Sequence, residues 1–142
     1  MKKIVFILLF VCLSLNAVEL KSSLNFQQTV DSIQKAIKTN GYKIYATINH
    51  KANAKTKGAY SNNSVVIVFD NPQDTARIMM HDSKVAFDLP QKVMIYEDLD
   101  DDVLVKYKKY SDLQNSYDVK NCMILDSITN KIDTMIKKAV KK

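Results

Sequence analysis

The sequence predicts an α+β fold in which helices cover one sheet. Helical patterns of apolar residues lie near both ends of the chain, and between them are short segments that alternate apolar and polar residues or are mostly β-branched. The predicted order of elements is β-α-β-β-α-β-β-α, which favours an antiparallel or mixed sheet. The 142 residues include only two glycines, so nucleotide binding through a glycine-rich phosphate loop is excluded.

Residues 1–17 have the pattern of a cleavable export signal. Lys2 and Lys3 precede an apolar run that ends at a small-residue cleavage site around Ala17. The run is shorter than the roughly 20 residues of a transmembrane helix, so we expect no stable membrane span after cleavage. We therefore expect residues 18–142 to form a single periplasmic domain.

The composition of the mature chain excludes some partners. Loss of the two signal lysines, with no acidic residue in the signal, would lower the formal charge from +6 to +4. The basic residues are lysines apart from Arg77, whereas nucleic-acid readers usually cluster arginines, so we expect no nucleic-acid partner. Cys122 would be the only cysteine left, so an internal disulfide is excluded.

The first half of the mature chain predicts three strands and one helix. A short strand is expected at residues 18–24. A helix follows, with Asn25 as its N-cap and Gly41 as its stop, and its apolar face is predicted to contain Phe26, Val30, Ile33 and Ile37. Residues 42–49 alternate as a half-buried strand, and residues 65–69 are continuously apolar, as in a strand within a sheet.

The second half predicts two helices and a hairpin. Asn71 and Pro72 suit the start of a helix, whose inner side is expected to contain Ala76, Met79 and Met80. Strands are expected at residues 92–97 and 103–107, joined by an acidic turn. A final helix is predicted from the apolar stripe that begins at Cys122, with Asp118 as its cap, and it ends in lysines that favour its C-terminus.

The end of the strand at residues 42–49 is the candidate site. Tyr42, Ile44, Ala46 and Ile48 share one side of this strand, and the same parity places His50 toward the core. Asn53 lies one helical turn further along. We expect His50, Asn53 and the adjacent Asn49 to line a pocket for a small ligand; the alternative for His50 is a hydrogen-bonded histidine that fixes the corner.

A metal or redox site is the alternative interpretation. Met79, Met80, His81 and Met94 are residue types that bind copper(I), although methionines at helical spacing are more often core residues. The acidic turn that begins at Asp98 resembles a calcium loop but has Val103 where that loop requires glycine. No complete catalytic motif is present, so we expect no cofactor and favour a protein that is not an enzyme.

A set of short motifs, in order along the chain, resembles the bacterial family known as domain of unknown function 302. The motifs are Asn40-Gly41-Tyr42, Ile48-Asn49-His50 with Asn53-Ala54, Val68-Phe69 with Asn71-Pro72, and Asp88-Leu89-Pro90 with Lys92-Val93 and Tyr96-Glu97-Asp98. The resemblance implies a TATA-binding-protein-like curved antiparallel sheet with helices on one side, commonly in a homodimer, and no established activity. We therefore expect an exported binding or interaction module that forms a homodimer.

Overall fold

The computed structural model describes residues 17–141, and residues 1–16 of the predicted export signal lie outside the described residues. The strands are β1 (Ala17–Lys21), β2 (Lys43–Asn49), β3 (Ser64–Asp70), β4 (Gln91–Glu97) and β5 (Val103–Lys108). They form one antiparallel sheet in the order β1-β5-β4-β3-β2, so β1 and β2 are its edges. The α+β class and the predicted order of the main elements are confirmed.

The helices are α1 (Phe26–Thr39), α2 (His50–Lys55), α3 (Pro72–Met79) and α4 (Ile124–Ala139), with 3₁₀ helices at Ser83–Phe87 and Tyr110–Asn115. The predicted limits of α1 are confirmed. The side chain of Asn25 accepts a hydrogen bond from the backbone N–H of Gln28 at 2.9 Å, and Gly41 ends the helix with φ of +80°. No helix within residues 17–141 is both long and apolar enough to cross a membrane.

The core lies between the helices and one face of the sheet. Every second residue of the inner strands points into it, and these residues are Val65, Ile67, Phe69, Val93, Ile95, Val103, Val105 and Tyr107. The predicted stripes of α1 and α4 cover them, and Cys122 is buried beside α4 with 5% of its surface exposed. Because one face of the sheet meets this core, the strands alternate buried and partly exposed positions.

Two predicted helix details are wrong. Of the predicted inner residues of α3, Met79 packs against the core, but Ala76 and Met80 are exposed and the buried residue is Ile78. The inner face of this helix is therefore rotated from the predicted one. Helix α4 begins at Ile124 rather than near Asp118. The backbone N–H of Asp118 instead donates to the carboxylate of Asp82 at 3.2 Å, which joins two loops.

Candidate functional site

The residues predicted as the site lie at the exposed end of β2. His50, Asn49 and Asn53 all have exposed side chains, so the expected core-facing orientation of His50 is wrong. Asn49 caps α2 by accepting a hydrogen bond from the backbone N–H of Ala52 at 2.8 Å. None of the three lines either of the two cavities described below. Their role in ligand binding stays a prediction.

A β-bulge at Tyr45 explains the different orientation. Ile44 and Ala46 pair with consecutive residues of β3, so Tyr45 has no partner of its own in the register. One extra residue reverses which face the following side chains meet. Ile48 therefore points away from the core, opposite Val66, and is 37% exposed.

The residues of the metal hypothesis do not meet at one place. Met79 packs against the core on the helix side, whereas Met94 pairs with Val66 and points from the other face of the sheet. His81 is exposed after the end of α3. Within residues 17–141, no three side chains of histidine, cysteine, aspartate or glutamate form a group that could hold a metal ion.

The side chain of Asp98 organises the acidic turn between β4 and β5. Asp98 Oδ1 accepts hydrogen bonds from the backbone N–H groups of Asp100 and Asp102, each at 2.9 Å. Asp101 adopts φ of +61°, a conformation that aspartate tolerates in turns. Lys21 pairs with Asp102 at 2.5 Å, so this turn is also tied to the edge strand β1.

The face of the sheet turned away from the helices, here called the open face, carries two rows of side chains that run across the strands. The first row contains Ile48, Val66, Met94, Lys106 and Glu19. The second row contains Ala46, Val68, Lys92, Lys108 and Ala17, with Lys92 opposite Lys108 because their neighbours Val93 and Tyr107 are paired. Apolar side chains thus occupy the β2 and β3 side, and lysines the β5 side.

A cavity of about 670 Å³ lies on the open face where the two rows meet the segment before β4 and the segment after β5. Its apolar lining consists of Ala17, Val66, Leu89, Met94 and Leu113. The loops that form its walls are held by hydrogen bonds. The Tyr117 hydroxyl donates to Asp88 at 2.8 Å, and the Gln91 side-chain amide donates to the Lys108 carbonyl at 2.9 Å. We call this space the sheet cavity.

Lysines dominate the charged lining of the sheet cavity. Lys92, Lys106, Lys108 and Lys109 line it, against Asp88 and Asp112. Lys106 is paired with Glu19 at 3.2 Å, and the pKa of Glu19 is held below its ordinary value by its hydrogen bond from Tyr96 and by Lys106. The cavity therefore combines an apolar floor with an excess of positive charge, which suits a ligand with both apolar and anionic parts.

A second cavity, of about 620 Å³, is the groove between α1 and α4. Exposed side chains of the two helices line it, including Lys35, Asn130, Lys131 and Lys138. Lys131 also lies over the ring of Tyr42, with its Nζ atom 4.9 Å from the ring centroid. This groove offers lysines without the apolar strand residues of the sheet cavity.

A buried polar cluster lies on the covered face around Asp70, which is 4% exposed. Its carboxylate accepts hydrogen bonds from the Tyr110 hydroxyl at 2.9 Å, the Asn71 backbone N–H at 2.8 Å and the Thr75 hydroxyl. Burial, followed by the charge and hydrogen bond of Asp70, raises the pKa of Tyr110. Three donors satisfy this carboxylate, so the cluster can hold the carboxyl end of β3 against the start of α3.

Tyr42 lies near this cluster but has a different environment. Its hydroxyl is buried and has no hydrogen-bond partner among the described residues, while its ring makes an edge-to-face contact with Phe69. Burial, and then the charges of Asp74 and Asp70, raise its pKa to about 12. With 4% of its surface exposed, Tyr42 is inaccessible to a substrate and serves the core.

The fold and the sequence both match one family. Residues 18–139 match the family described as "Domain of unknown function DUF302". This chain belongs to the DUF302 family. A solved structure described as an uncharacterized conserved protein DUF302 from Bacillus stearothermophilus superposes on the DUF302 domain with a TM-score of 0.69. The superposition covers 87% of this chain and 94% of that protein, and the two sequences are 19% identical, so the match supports the fold alone.

Curated relatives share only part of the DUF302 domain. Proteins named fluoride-specific ion channel FluC 1, from Brucella suis and Brucella abortus, are 26% identical over 81 residues. The match covers 57% of this chain and 32% and 30% of the two relatives. The chain thus spans about a third of their length.

The lysines of the sheet cavity are not among the predicted site residues, and Met94 enters the sequence analysis only as a candidate copper(I) ligand. The sequence predicts the strands at residues 92–97 and 103–107 but assigns no role to the other side chains on their outer face. The alternation of side chains along the strands could have indicated these residues, because Lys92 and Met94 share one face, as do Lys106 and Lys108. The closing walls come from distant loops, which strand periodicity cannot bring together.

Proposed function

We propose that this protein is an exported module of the periplasm that binds a small ligand in the sheet cavity. The cavity itself carries the proposal, because it combines about 670 Å³ of space, an apolar floor on two strands and a lysine-rich rim. Binding sites for small molecules are usually concave and mainly apolar, with a few polar groups that orient the ligand. The apolar run and basic start of residues 1–17 support export.

In this proposal the protein binds its ligand and does not act as an enzyme. Ligand orientation requires only the rim lysines and the fixed walls, and the buried Asp70 and Tyr110 are committed to each other.

A homodimer, as the family resemblance implies, is part of the proposal. Partly exposed apolar residues of the open face outside the cavity, among them Ile48 and Val68, support an association of two copies. Light scattering of the processed protein tests the dimer, and a monomer at all concentrations contradicts it.

A thermal-shift screen tests ligand binding by the processed protein. The panel contains neutral, anionic and cationic amphiphiles, and fluoride because the curated relatives are named as fluoride-specific channels. A ligand that binds only the folded state raises the unfolding midpoint. We expect at least one amphiphile to do so, and we expect Met94→Trp, which occupies part of the cavity, to reduce that shift.

The variant His50→Ala separates the two candidate locations. If the ligand binds in the sheet cavity, His50→Ala keeps the thermal shift of the native protein, because His50 does not line that cavity. If His50→Ala removes the thermal shift while Met94→Trp keeps it, the ligand binds at the end of β2, in the site predicted for His50, Asn49 and Asn53. A panel that produces no shift contradicts the proposed function.

A further inference from the structure

The fold neutralises only two of the four lysines that β1, β4 and β5 present on the open face. Lys106 lies 3.2 Å from Glu19, and Lys21 lies 2.5 Å from Asp102. Lys92 and Lys108 face each other across neighbouring strands, and no carboxylate of the described residues lies within 4.0 Å of either ammonium group. Like charges opposite each other destabilise a strand pair, so an anion bound between them would relieve that repulsion.

The acidic residues of the cavity do not cancel this charge. Asp88 accepts a hydrogen bond from the Tyr117 hydroxyl at 2.8 Å, and Asp112 accepts one from the backbone N–H of Lys109 at 3.1 Å. Both carboxylates are thus engaged in holding the walls. Four lysines against two aspartates leave the lining with two excess positive charges, and Glu19, paired with Lys106, offsets one of them. The electrostatic field favours a ligand with negative charge and disfavours a cation.

The rest of the cavity requires an apolar ligand body. Val66 and Met94 form its floor on neighbouring strands, and Leu89 and Leu113 contribute from the two walls. A small hydrophilic anion would contact the lysines and leave this apolar surface in water. Methionine adapts its shape to different apolar groups, so Met94 can follow the outline of a flexible chain.

We propose that the sheet cavity binds a monomeric anionic amphiphile, a molecule that carries one carboxylate, sulfonate or phosphate group on an apolar body. The proposal rests on the ligand-binding function proposed above and adds its chemical class. Lys92 and Lys108 hold the anionic group, and the apolar body lies over Val66 and Met94. Binding requires both parts, because each region of the lining satisfies only one of them.

Two fluorescent probes that differ by one sulfonate test the class. The anionic probe is 8-anilinonaphthalene-1-sulfonate, and its neutral counterpart is N-phenyl-1-naphthylamine. We expect the processed protein to bind the anionic probe about tenfold more tightly, since a hydrogen bond to a charged group contributes enough to account for that factor. Dodecanoate should displace the anionic probe, whereas inorganic phosphate and acetate should not.

Two double variants locate the anionic group. Lys92→Gln with Lys108→Gln should weaken the anionic probe and dodecanoate about tenfold or more, and should change the affinity of the neutral probe less than about twofold. The control is Lys35→Gln with Lys138→Gln, which makes the same change of net charge in the groove between α1 and α4. This control should leave all affinities unchanged. All four lysines are exposed, so the control variant should keep the native unfolding midpoint. The Lys92 and Lys108 variant should keep or slightly raise it, because it removes two like charges that face each other.

The outcomes distinguish the ligand class from the function. Equal affinity for both probes, reduced by Met94→Trp but not by the Lys92 and Lys108 variant, would overturn the anionic class and leave ligand binding in the cavity intact. Binding of neither probe, nor of any molecule in the thermal-shift panel, would overturn both. Binding to vesicles of phosphatidylglycerol without binding of monomeric dodecanoate would show a membrane surface as the target and overturn the proposal of a monomeric ligand.

Discussion

The two faces of the sheet differ although the same strands build both. On the covered face, Ile95 is fully buried among the helices, and polar groups such as Asp70 have several hydrogen-bond donors. On the open face, Met94 is only partly buried, and no carboxylate of the described residues lies within 4.0 Å of the ammonium group of Lys92 or Lys108. The covered face is arranged for stability, whereas the open face keeps apolar area and charge that the fold does not use. Such unused chemistry is what a binding surface requires.

A pair of alanine substitutions at neighbouring positions tests this difference most strongly. Ile95→Ala should lower the free energy of unfolding by about 2–5 kcal/mol, because it leaves a cavity in a fully buried site. Met94→Ala, one residue earlier on the same strand, should lower it by about 1 kcal/mol or less, because its side chain is partly exposed. Urea unfolding of both variants measures the two values. Similar losses would mean that the open face is also a packed core, for example within a dimer.

Two buried tyrosines sharpen the comparison within the covered face. Tyr110→Phe removes a donor to the buried Asp70, so it should destabilise the protein by about 1–3 kcal/mol. Tyr42→Phe removes a buried hydroxyl that has no hydrogen-bond partner within residues 17–141, so stability should stay equal or rise by up to about 1 kcal/mol. The two changes delete the same atom, and denaturant unfolding at neutral pH compares them directly. A larger loss for Tyr42→Phe would show that its hydroxyl has a partner.

Tyr42 also predicts how the stability of the protein changes at alkaline pH. The pKa of Tyr42 rises from 10.0 in the unfolded chain to about 12 in the fold, so the folded state favours the neutral hydroxyl. This contribution is fully present below pH 10 and is lost as the pH rises through about 12. The stability of Tyr42→Phe should therefore fall less steeply between pH 10 and about 12 than that of the native protein. A fall identical to that of the native protein would contradict the raised pKa.

The sequence predicted the covered face well because local signals determine it. Asn25 and Gly41 mark the ends of α1, Asn71 and Pro72 mark the start of α3, and a period of two marks the hairpin of β4 and β5. Each of these signals acts within a few residues. The α+β class and the order of the elements follow from them.

The candidate site was harder to predict because it depends on tertiary structure. The bulge at Tyr45 changes the direction of every later side chain of β2, and no glycine or proline within the strand announces it. The walls of the sheet cavity come from two loops that meet only after folding, one with Leu89 and one with Leu113. Alternation could have placed Lys92 and Lys108 on one face, but their lack of counter-charges becomes visible only when Glu19 and Asp102 are placed.

The smallest expected effect on stability comes from Glu19→Gln on the open face. The pKa of Glu19 is lowered, so its contribution is present above its unfolded pKa and is lost as the pH falls through the folded value. Glu19 is exposed and screened by solvent, so the variant should change stability at neutral pH by only about 0.5 kcal/mol or less. The substitution also releases Lys106, which lines the sheet cavity.

Ligand affinity should respond to Glu19→Gln more clearly than stability does. Removal of a negative charge beside the cavity should tighten dodecanoate about twofold, which corresponds to the strength of an exposed ion pair. Displacement of the anionic probe measures this change, and Asp31→Gln on the exposed side of α1 is the control of equal charge. Unchanged affinity would mean that Lys106 takes no part in anion binding and that Lys92 and Lys108 act alone. Weaker binding would contradict the view that the open face attracts its ligand by positive charge.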